Sequence, residues 1–135
     1  YNNFDLSFAL RSNIGNRVFN AVNASRAQYG RLNTGADVTN LPTSVTETGF
    51  NTTSTVVLSD IYVENASFLR MDNISLGYNL GVLPHTKSTL RLSANVQNVF
   101  VITKYKGLDP EVNGGIDNNL YPRPRIISVG ANLEF

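Results

Sequence analysis

The sequence of 135 residues is long enough for one ordinary domain and too short for two. Its formal net charge is +1 and only 16% of its residues are charged, so no electrostatic feature predicts a nucleic-acid partner. The absence of cysteine excludes disulfides, thiol nucleophiles and cysteine-bound metals, and no apolar run of about 18 residues predicts a membrane-spanning helix.

Residues 4–10 predict the first strand, because apolar and polar residues alternate there with a period of two. Its apolar side consists of Phe4, Leu6, Phe8 and Leu10. Residues 15–29 predict a short helix that begins near Asn16. The rest of 12–66 is polar and rich in turn residues, which predicts a long loop with one further extended piece near 54–68.

Three more alternating segments follow at 72–80, 89–98 and 125–135. Their apolar sides consist of Ile74, Leu76, Tyr78 and Leu80; Leu90, Leu92, Ala94 and Val96; and Ile127, Val129, Ala131, Leu133 and Phe135. With their flanks they reach the roughly 9–11 residues that a tilted strand needs to cross a bilayer. A short turn at 81–88 joins the first two, whereas a medium connection at 102–124 precedes the last. Short turns at one end of a sheet and long loops at the other are typical of outer-membrane barrels.

The polar sides of these strands carry Asn, Ser, Gly and Gln rather than Lys or Glu, unlike the sheet faces and edges of most soluble proteins. We therefore predict an all-β fold: an antiparallel transmembrane β-barrel segment of about four strands, with one long and one medium outer loop. Arg91, Asn95 and Gln97 are expected to face the barrel interior, where polar groups contact a plug or the path of the solute.

Four strands do not close a barrel, because the smallest single-chain barrels have about eight, and an open edge in lipid costs several kcal/mol for each unpaired group. Either several copies assemble into one barrel, or the chain is a piece of a longer polypeptide. We expect the second arrangement, because the sequence opens directly on Tyr1 without a targeting segment. A soluble β-sandwich that binds carbohydrate is the alternative from another class, since alternation also describes a sheet buried on one face.

Three segments carry a family resemblance: FLRMDNISLGYNL at 68–80, QNVFVITKYKGLDPEV at 97–112 and YPRPRIISVGANLEF at 121–135. In this order and spacing they resemble the C-terminal end of the SusC/RagA-type TonB-dependent outer-membrane transporters of Bacteroidetes. The resemblance extends over 66–135 and, more weakly, over 4–26. It implies that 1–135 is the C-terminal portion of a larger barrel of about 22 strands in the bacterial outer membrane, without the plug domain.

The resemblance also implies a function for the whole transporter, which is the import of oligosaccharides or peptides together with a SusD-like lipoprotein. TonB would supply energy through an N-terminal part that the sequence does not contain. The other implied partners are the remaining strands and the plug, outer-membrane lipid and the barrel-assembly machinery. No enzymatic activity, cofactor, metal or nucleic-acid partner is implied.

The outer-loop motif of the family falls on two stretches of this chain. Its residues are Tyr105, Gly107, Asp109, Pro110, Glu111, Tyr121, Pro122 and Arg123. Gly107 is expected to adopt a backbone φ that other residues avoid, and Pro110 to stiffen the loop. Asp109 or Glu111 is expected to pair with Arg123 or Lys106. Such a loop serves either its own packing or contact with substrate or the lid protein.

The last predicted strand resembles the recognition signal of the barrel-assembly machinery. The residues that carry this resemblance are Ile127, Val129, Ala131, Leu133 and Phe135. Elsewhere, residues 111–119 offer oxygen ligands near a glycine pair, which would suit Ca²⁺, but the spacing of a known calcium loop is missing and ordinary loop chemistry is the preferred interpretation. The single histidine, His85, lies in the short turn and is not expected to be catalytic.

Overall fold

The structure is a computed structural model that describes residues 3–29, 40–49, 58–84 and 88–135. The chain divides into two units. The first, which we call the sheet unit, comprises Tyr1–Asn13, Phe68–Ile102 and Arg123–Phe135. The second, the loop unit, comprises Ile14–Ser67 and Thr103–Pro122.

Seven strands and two short α-helices are formed by the described residues. The strands are β1 (Phe4–Asn13), β2 (Arg17–Asn20), β3 (Val63–Asn65), β4 (Phe68–Val82), β5 (Thr89–Thr103), β6 (Ile116–Asp117) and β7 (Ile126–Glu134). The helices are α1 (Ala21–Arg26) and α2 (Val45–Thr48), with single 3-10 turns at Asp60–Tyr62 and Asn113–Gly115. No helix in this part of the chain is long and apolar enough to cross a membrane; crossing by strands is a separate matter.

The sheet unit is built on a four-stranded antiparallel sheet in the order β1-β4-β5-β7. All four strands predicted from alternation are confirmed, with bounds that differ by a few residues. The register pairs Phe4 with Tyr78 and Leu90 with Leu133, and Asn95 of β5 bonds to Ser75 of β4 on the other side, so the predicted apolar sides lie on one face of the sheet. We call this the apolar face and the other the polar face.

The apolar face is exposed. Phe8 is 57% exposed, Val129 84% and Phe135 97%. An antiparallel sheet in a soluble domain normally packs such a face against its core. The exposed apolar side chains on this face are Phe4, Leu6, Phe8, Leu10, Leu76, Leu80, Leu92, Ile127, Val129, Leu133 and Phe135.

A β-bulge interrupts the pairing of β1 with β4. Ala9 faces Asn73 and the next residue, Leu10, faces Met71, so Asp72 is the extra residue. The bulge reverses which residues of β4 face which side. Arg70 therefore lies on the polar face, opposite Arg11. Sequence alternation from 72 to 80 does not predict this reversal.

The loop unit contains a small mixed sheet in the order β3-β2-β6, in which β2 runs antiparallel to β3 and parallel to β6. The helix predicted near Asn16 begins later: residues 17–20 form β2, and α1 starts at Ala21. Asn20 caps it, because its side-chain oxygen accepts a hydrogen bond from the Asn23 backbone N–H at 2.9 Å. The prediction placed the start too early because it did not recognise this cap. The predicted extended piece near 54–68 corresponds in its described part to β3.

Val18, Ala66 and Tyr105 form the core of the loop unit, with Val112 packed against them. The four residues come from distant parts of the sequence, so this core holds the two stretches of the unit together. In the sheet unit, the turn between β4 and β5 is closed by a hydrogen bond from the Leu83 N–H to the Ser88 carbonyl at 2.8 Å. His85, in this turn, lies outside the described residues.

Candidate functional site

The outer-loop motif is organised around a buried hydrogen bond between Tyr105 and Asp117. The Tyr105 hydroxyl donates to Asp117 Oδ2 at 2.7 Å, and the two residues are 6% and 4% exposed. Burial, the hydrogen bond to Asp117 and the charges of Asp117 and Glu64 raise the pKa of Tyr105 above its ordinary range. The phenol therefore stays neutral and remains a donor at physiological pH.

Asp117 also fixes the chain that follows it. Its Oδ1 accepts hydrogen bonds from the backbone N–H groups of Asn119 at 3.0 Å and Leu120 at 3.2 Å. Asn119 has a positive φ of 76°, a conformation that asparagine adopts more readily than most residues. The carboxylate that the calcium interpretation of 111–119 would use is thus occupied by protein donors. The described residues contain no group of three or more acidic, histidine or cysteine side chains placed to hold a metal.

Gly107 does not adopt the unusual backbone φ that was predicted for it. Its φ lies outside the left-handed region that the structure assigns to Gly114 and other glycines. A Cβ at position 107 would instead collide with the ring of Tyr105. Glycine is needed at this position because the buried tyrosine packs directly against the backbone.

The Asp-Pro-Glu part of the motif forms a buried turn. The Asp109 side chain accepts a hydrogen bond from the Glu111 backbone N–H at 2.9 Å, as in an Asx turn. Asp109 is 6% exposed, and Pro110 is among the most completely buried side chains. These contacts favour the packing interpretation for this part of the motif.

Lys106 does not pair with Asp109 or Glu111. Its ammonium contacts Glu47 Oε2 at 2.6 Å, and its backbone N–H donates to Glu64 Oε2 at 2.8 Å. The hydrogen bond to Glu47 raises the pKa of Lys106, with smaller effects from the charges of Glu47 and Glu64. Both partners of the ion pair are more than half exposed, so its contribution to stability is small.

The other end of the motif is more accessible. Tyr121 is 87% exposed, Pro122 is half-buried and Arg123 is exposed. The backbone carbonyl of Arg123 accepts a hydrogen bond from Asn98 Nδ2 at 2.6 Å. Of the eight motif residues, Tyr121 offers the largest exposed aromatic surface to a ligand or partner.

On the polar face, Arg91 bridges three strands. Its guanidinium passes over Gly77 of β4 and contacts Asp5 Oδ2 of β1 at 2.9 Å. The second predicted interior residue, Asn95, donates to Ser75 Oγ of β4 at 2.5 Å. The structure therefore places Arg91 and Asn95 on the polar face in cross-strand hydrogen bonds.

Gln97 is exposed on the same face, where it lines a shallow groove of about 630 Å³ with Asn95 and Ser75. The oxygen Asn95 Oδ1 is buried and has no hydrogen-bond partner among the described residues. A buried acceptor of this kind normally finds a donor from another part of the protein or from water.

Sequence reasoning missed an arginine cluster at the bulge. Arg11 makes a bidentate ion pair with Asp72, from Nε to Oδ2 at 2.9 Å and from Nη2 to Oδ1 at 3.0 Å. Arg70 is 1% exposed, donates to Asn98 Oδ1 at 2.9 Å and lies over the ring of Phe68. The available signal was the shift of apolar residues from odd positions (Leu69, Met71) to even positions (Ile74, Leu76).

The predicted assembly residues occupy β7 and the position after it. Ile127 is 72% exposed and Leu133 is 43% exposed, and both face the apolar side. β7 is hydrogen-bonded to β5 along one edge only among the described strands. Its other edge therefore remains free to pair with a further strand.

Known proteins with a similar sequence or fold are TonB-dependent receptors and a transporter. No family model matches the chain. The TonB-dependent receptor SusC of Bacteroides thetaiotaomicron is 40% identical over 149 aligned positions, which cover all of this chain and 14% of that protein. The TonB-dependent receptor P3 of Formosa agariphila is 31% identical, over all of this chain and 15% of its own length. The chain thus spans only about a seventh of these curated relatives.

A solved structure of the RagAB peptide importer in its closed-closed state matches the whole chain with a TM-score of 0.75 and 24% identity, over 16% of the solved chain. That likeness concerns the fold. An antiparallel sheet with an exposed apolar face and a hydrogen-bonded polar face is what the wall of a β-barrel requires. The chain belongs to the SusC/RagA family of TonB-dependent receptors. Its relatives are named as receptors and transporters, not as enzymes.

Proposed function

We propose that the chain is the C-terminal barrel segment, without the plug domain, of an importer in the bacterial outer membrane. The observation that carries this proposal is the exposed apolar face of the four-stranded sheet. Burying one Val, Leu, Ile or Phe side chain is worth about 1.5–3 kcal/mol. The exposed side chains of this face together represent an amount comparable to the whole stability of a domain, about 5–15 kcal/mol. A lipid bilayer would cover this apolar face and exclude water from it.

The two outer strands of the sheet support the presence of further strands. β1 and β7 each have one edge without a described partner. In a membrane, unpaired backbone groups cost several kcal/mol each, so these edges pair with the remaining strands of the same transporter. This arrangement needs no assembly of several copies of the chain.

The polar face is proposed to line the barrel interior and to contact the plug. Arg91 and Asn95 brace the wall through their bonds to Asp5 and Ser75, while Gln97 remains accessible. Gln97, exposed in the groove that it lines with Asn95 and Ser75, is the side chain that would contact a further segment at this point.

The loop unit is proposed to lie outside the cell and to contact a SusD-like lipoprotein. The long connection between β1 and β4 and the medium one between β5 and β7 leave the same end of the sheet, which is the pattern of outer loops. Tyr105, Asp109 and Pro110 keep this unit rigid, and Tyr121 is the exposed contact residue. TonB would act through a part of the transporter that the sequence does not include.

The transported solute is proposed to be an oligosaccharide or a peptide. SusC-type receptors are the relatives in sequence, and the fold is shared with a transporter named for peptides. The last strand, through Ile127, Val129 and Phe135, is proposed to be the part that the barrel-assembly machinery recognises.

The soluble carbohydrate-binding sandwich is less well supported. A sandwich requires a second sheet of similar size. The other described sheet has strands of only two to four residues, whereas the strands of the four-stranded sheet have nine to fifteen.

The decisive test uses the full-length receptor in lipid nanodiscs. Single cysteines at Val129 and Ser128, neighbours on opposite faces of β7, would carry a fluorescent label. We expect nitroxide-bearing lipids to quench the label at 129 strongly and the label at 128 weakly. Equal quenching at the two positions would contradict a lipid-facing apolar side.

A further inference from the structure

The loop unit contains a groove of about 720 Å³ that the proposed function does not use. Its volume lies within the roughly 300–1,000 Å³ of small-ligand sites. Walls from two distant stretches of sequence meet there: α1 and residues 40–47 on one side, and residues 106–108 with 117–120 on the other.

The groove is held open by described contacts. Ser44 Oγ donates to Asn23 Oδ1 at 2.5 Å, which ties the 40–47 segment to α1. The Lys106–Glu47 ion pair joins the two walls. Asp117 fixes residues 119 and 120 through their backbone N–H groups. A ligand would therefore meet a largely formed site and would not need to order it.

Much of the groove surface is aliphatic. The aliphatic lining residues are Val22, Leu41, Pro42, Leu108 and Leu120. Leu108 is 67% exposed and Leu120 is 42% exposed, so both offer surface to a ligand. No aromatic residue is among the described residues that line the groove. A sugar ring would find no flat aromatic face there, whereas apolar peptide side chains would find matching surface.

Three of the polar side chains of the groove have hydrogen-bonding groups that suit a peptide. Arg26, Asn40 and Asn119 line it, and no described residue engages their side chains. The other charges are neutralised, because Lys106 pairs with Glu47 and Asp117 is buried among its donors. Arg26 is thus the one unpaired charge in the described lining, and it suits a single carboxylate.

We infer that this groove binds a short apolar peptide, with its terminal carboxylate at Arg26 and its backbone amides at Asn40 and Asn119. Leu108 and Leu120 receive the peptide side chains. The inference rests on the proposed import function, because it assigns the peptide class of substrate to an outer-loop site of the same transporter.

The test measures binding by calorimetry to the full-length receptor in nanodiscs. The probes are the pentapeptide Ala-Leu-Pro-Leu-Ala as the free acid, the same peptide as its C-terminal amide, and a neutral glucose pentasaccharide. We expect the acid to bind about tenfold more tightly than the amide. Arg26→Gln should remove this ratio, and Arg17→Gln, a matched exposed arginine outside the groove, should retain it.

A second variant guards against a local disturbance by Arg26→Gln. Leu108→Asn should weaken both peptide forms several-fold and leave their ratio unchanged. The inference is overturned if acid and amide bind equally to the unmodified receptor, if Arg26→Gln and Arg17→Gln behave alike, or if Leu108→Asn affects only the pentasaccharide.

Uptake of labelled solute by cells with and without TonB separates the two proposals. If the acid and amide peptides bound equally and the pentasaccharide were taken up in a TonB-dependent way, the groove inference would be refuted and the import function supported. The expected ratio without any TonB-dependent uptake would support the groove and refute the import function.

Discussion

Replacing Tyr105 with phenylalanine tests whether one buried hydrogen bond holds the outer-loop motif. The change removes the hydroxyl that donates to Asp117 Oδ2 at 2.7 Å and leaves the ring in the core. A hydrogen bond to a charged group contributes about 1.5–3 kcal/mol, and a buried carboxylate that loses a donor is destabilised by a similar amount. This range corresponds to a roughly 10- to 150-fold larger population of the locally open loop.

Amide hydrogen exchange of the full-length receptor, followed by mass spectrometry, reports this population directly. The peptide that contains Asn119 and Leu120 should exchange faster by the same factor, because their N–H groups donate to Asp117 Oδ1. Peptides from β5 should be unaffected, because the strand ladder does not depend on this carboxylate.

Tyr121→Phe is the matched control, since this tyrosine lies in the same loop and is 87% exposed. Its hydroxyl removal should change exchange by less than about twofold, as expected for a surface substitution. If Tyr105→Phe and Tyr121→Phe gave the same small change, the buried bond would not stabilise the loop, and the reasoning would be refuted.

Three further predictions concern pH, the sheet and assembly. Tyr105 has a raised pKa in the folded loop, so its contribution to loop stability should be complete below about pH 10. Above that pH the equilibrium constant for the closed loop should fall by about tenfold per pH unit. Alkaline subtilisin should therefore cleave the loop faster above about pH 10, and Tyr105→Phe should not show this increase. At Gly77 a Cβ would lie 2.5–2.6 Å from the exposed Asp5–Arg91 ion pair, whose flexible side chains can move, so Gly77→Ala should lower the thermal stability of the barrel by less than about 1 kcal/mol. Gly130→Ala, whose Cβ would lie 3.0 Å from the Ser93 hydroxyl, should be nearly neutral. A loss above about 2 kcal/mol for Gly77→Ala would contradict the displacement of flexible side chains. Phe135→Ala should reduce surface levels more than Phe8→Ala and leave substrate affinity unchanged; normal surface levels with altered affinity would argue against the assembly role.

The four long strands were predictable because each one contains a strictly alternating segment, and alternation depends only on the two faces meeting different surroundings. The apolar sides of β1 and β5 were assigned residue by residue, and the register confirms that they share a face with those of β4 and β7. The small neutral residues of the other side favoured a barrel segment over a soluble sheet, and the fold likeness to the RagAB structure agrees with that preference.

The bulge at Asp72 was not predicted, because alternation describes one phase and does not indicate where the phase changes. The consequence is chemical as well as geometric: Arg70 becomes a buried residue on the polar face. The start of α1 was predicted too early for a related reason. The predicted helix includes Asn20, whereas the side chain of this residue caps the helix that follows it.

The composition of the outer-loop motif did not separate residues that pack from residues that contact a partner. Tyr105 and Tyr121 have the same chemistry, yet one is 6% exposed and the other 87%. Their difference depends on Asp117, which lies twelve residues after Tyr105 and belongs to β6. A pairing across such a loop depends on tertiary structure, which local patterns do not encode.

These observations indicate that the two units are stabilised by different means. The sheet unit exposes its apolar residues and hydrogen-bonds its polar ones, so in the proposed barrel lipid and neighbouring strands would supply much of its stability. The loop unit has its own core of Val18, Ala66 and Tyr105, and its turns are closed by buried carboxylates. Tyr105→Phe should therefore open the loop without loosening the strands, and Gly77→Ala should affect the sheet without exposing the loop to protease. A receptor in which either change affected both units equally would not have this division of stability.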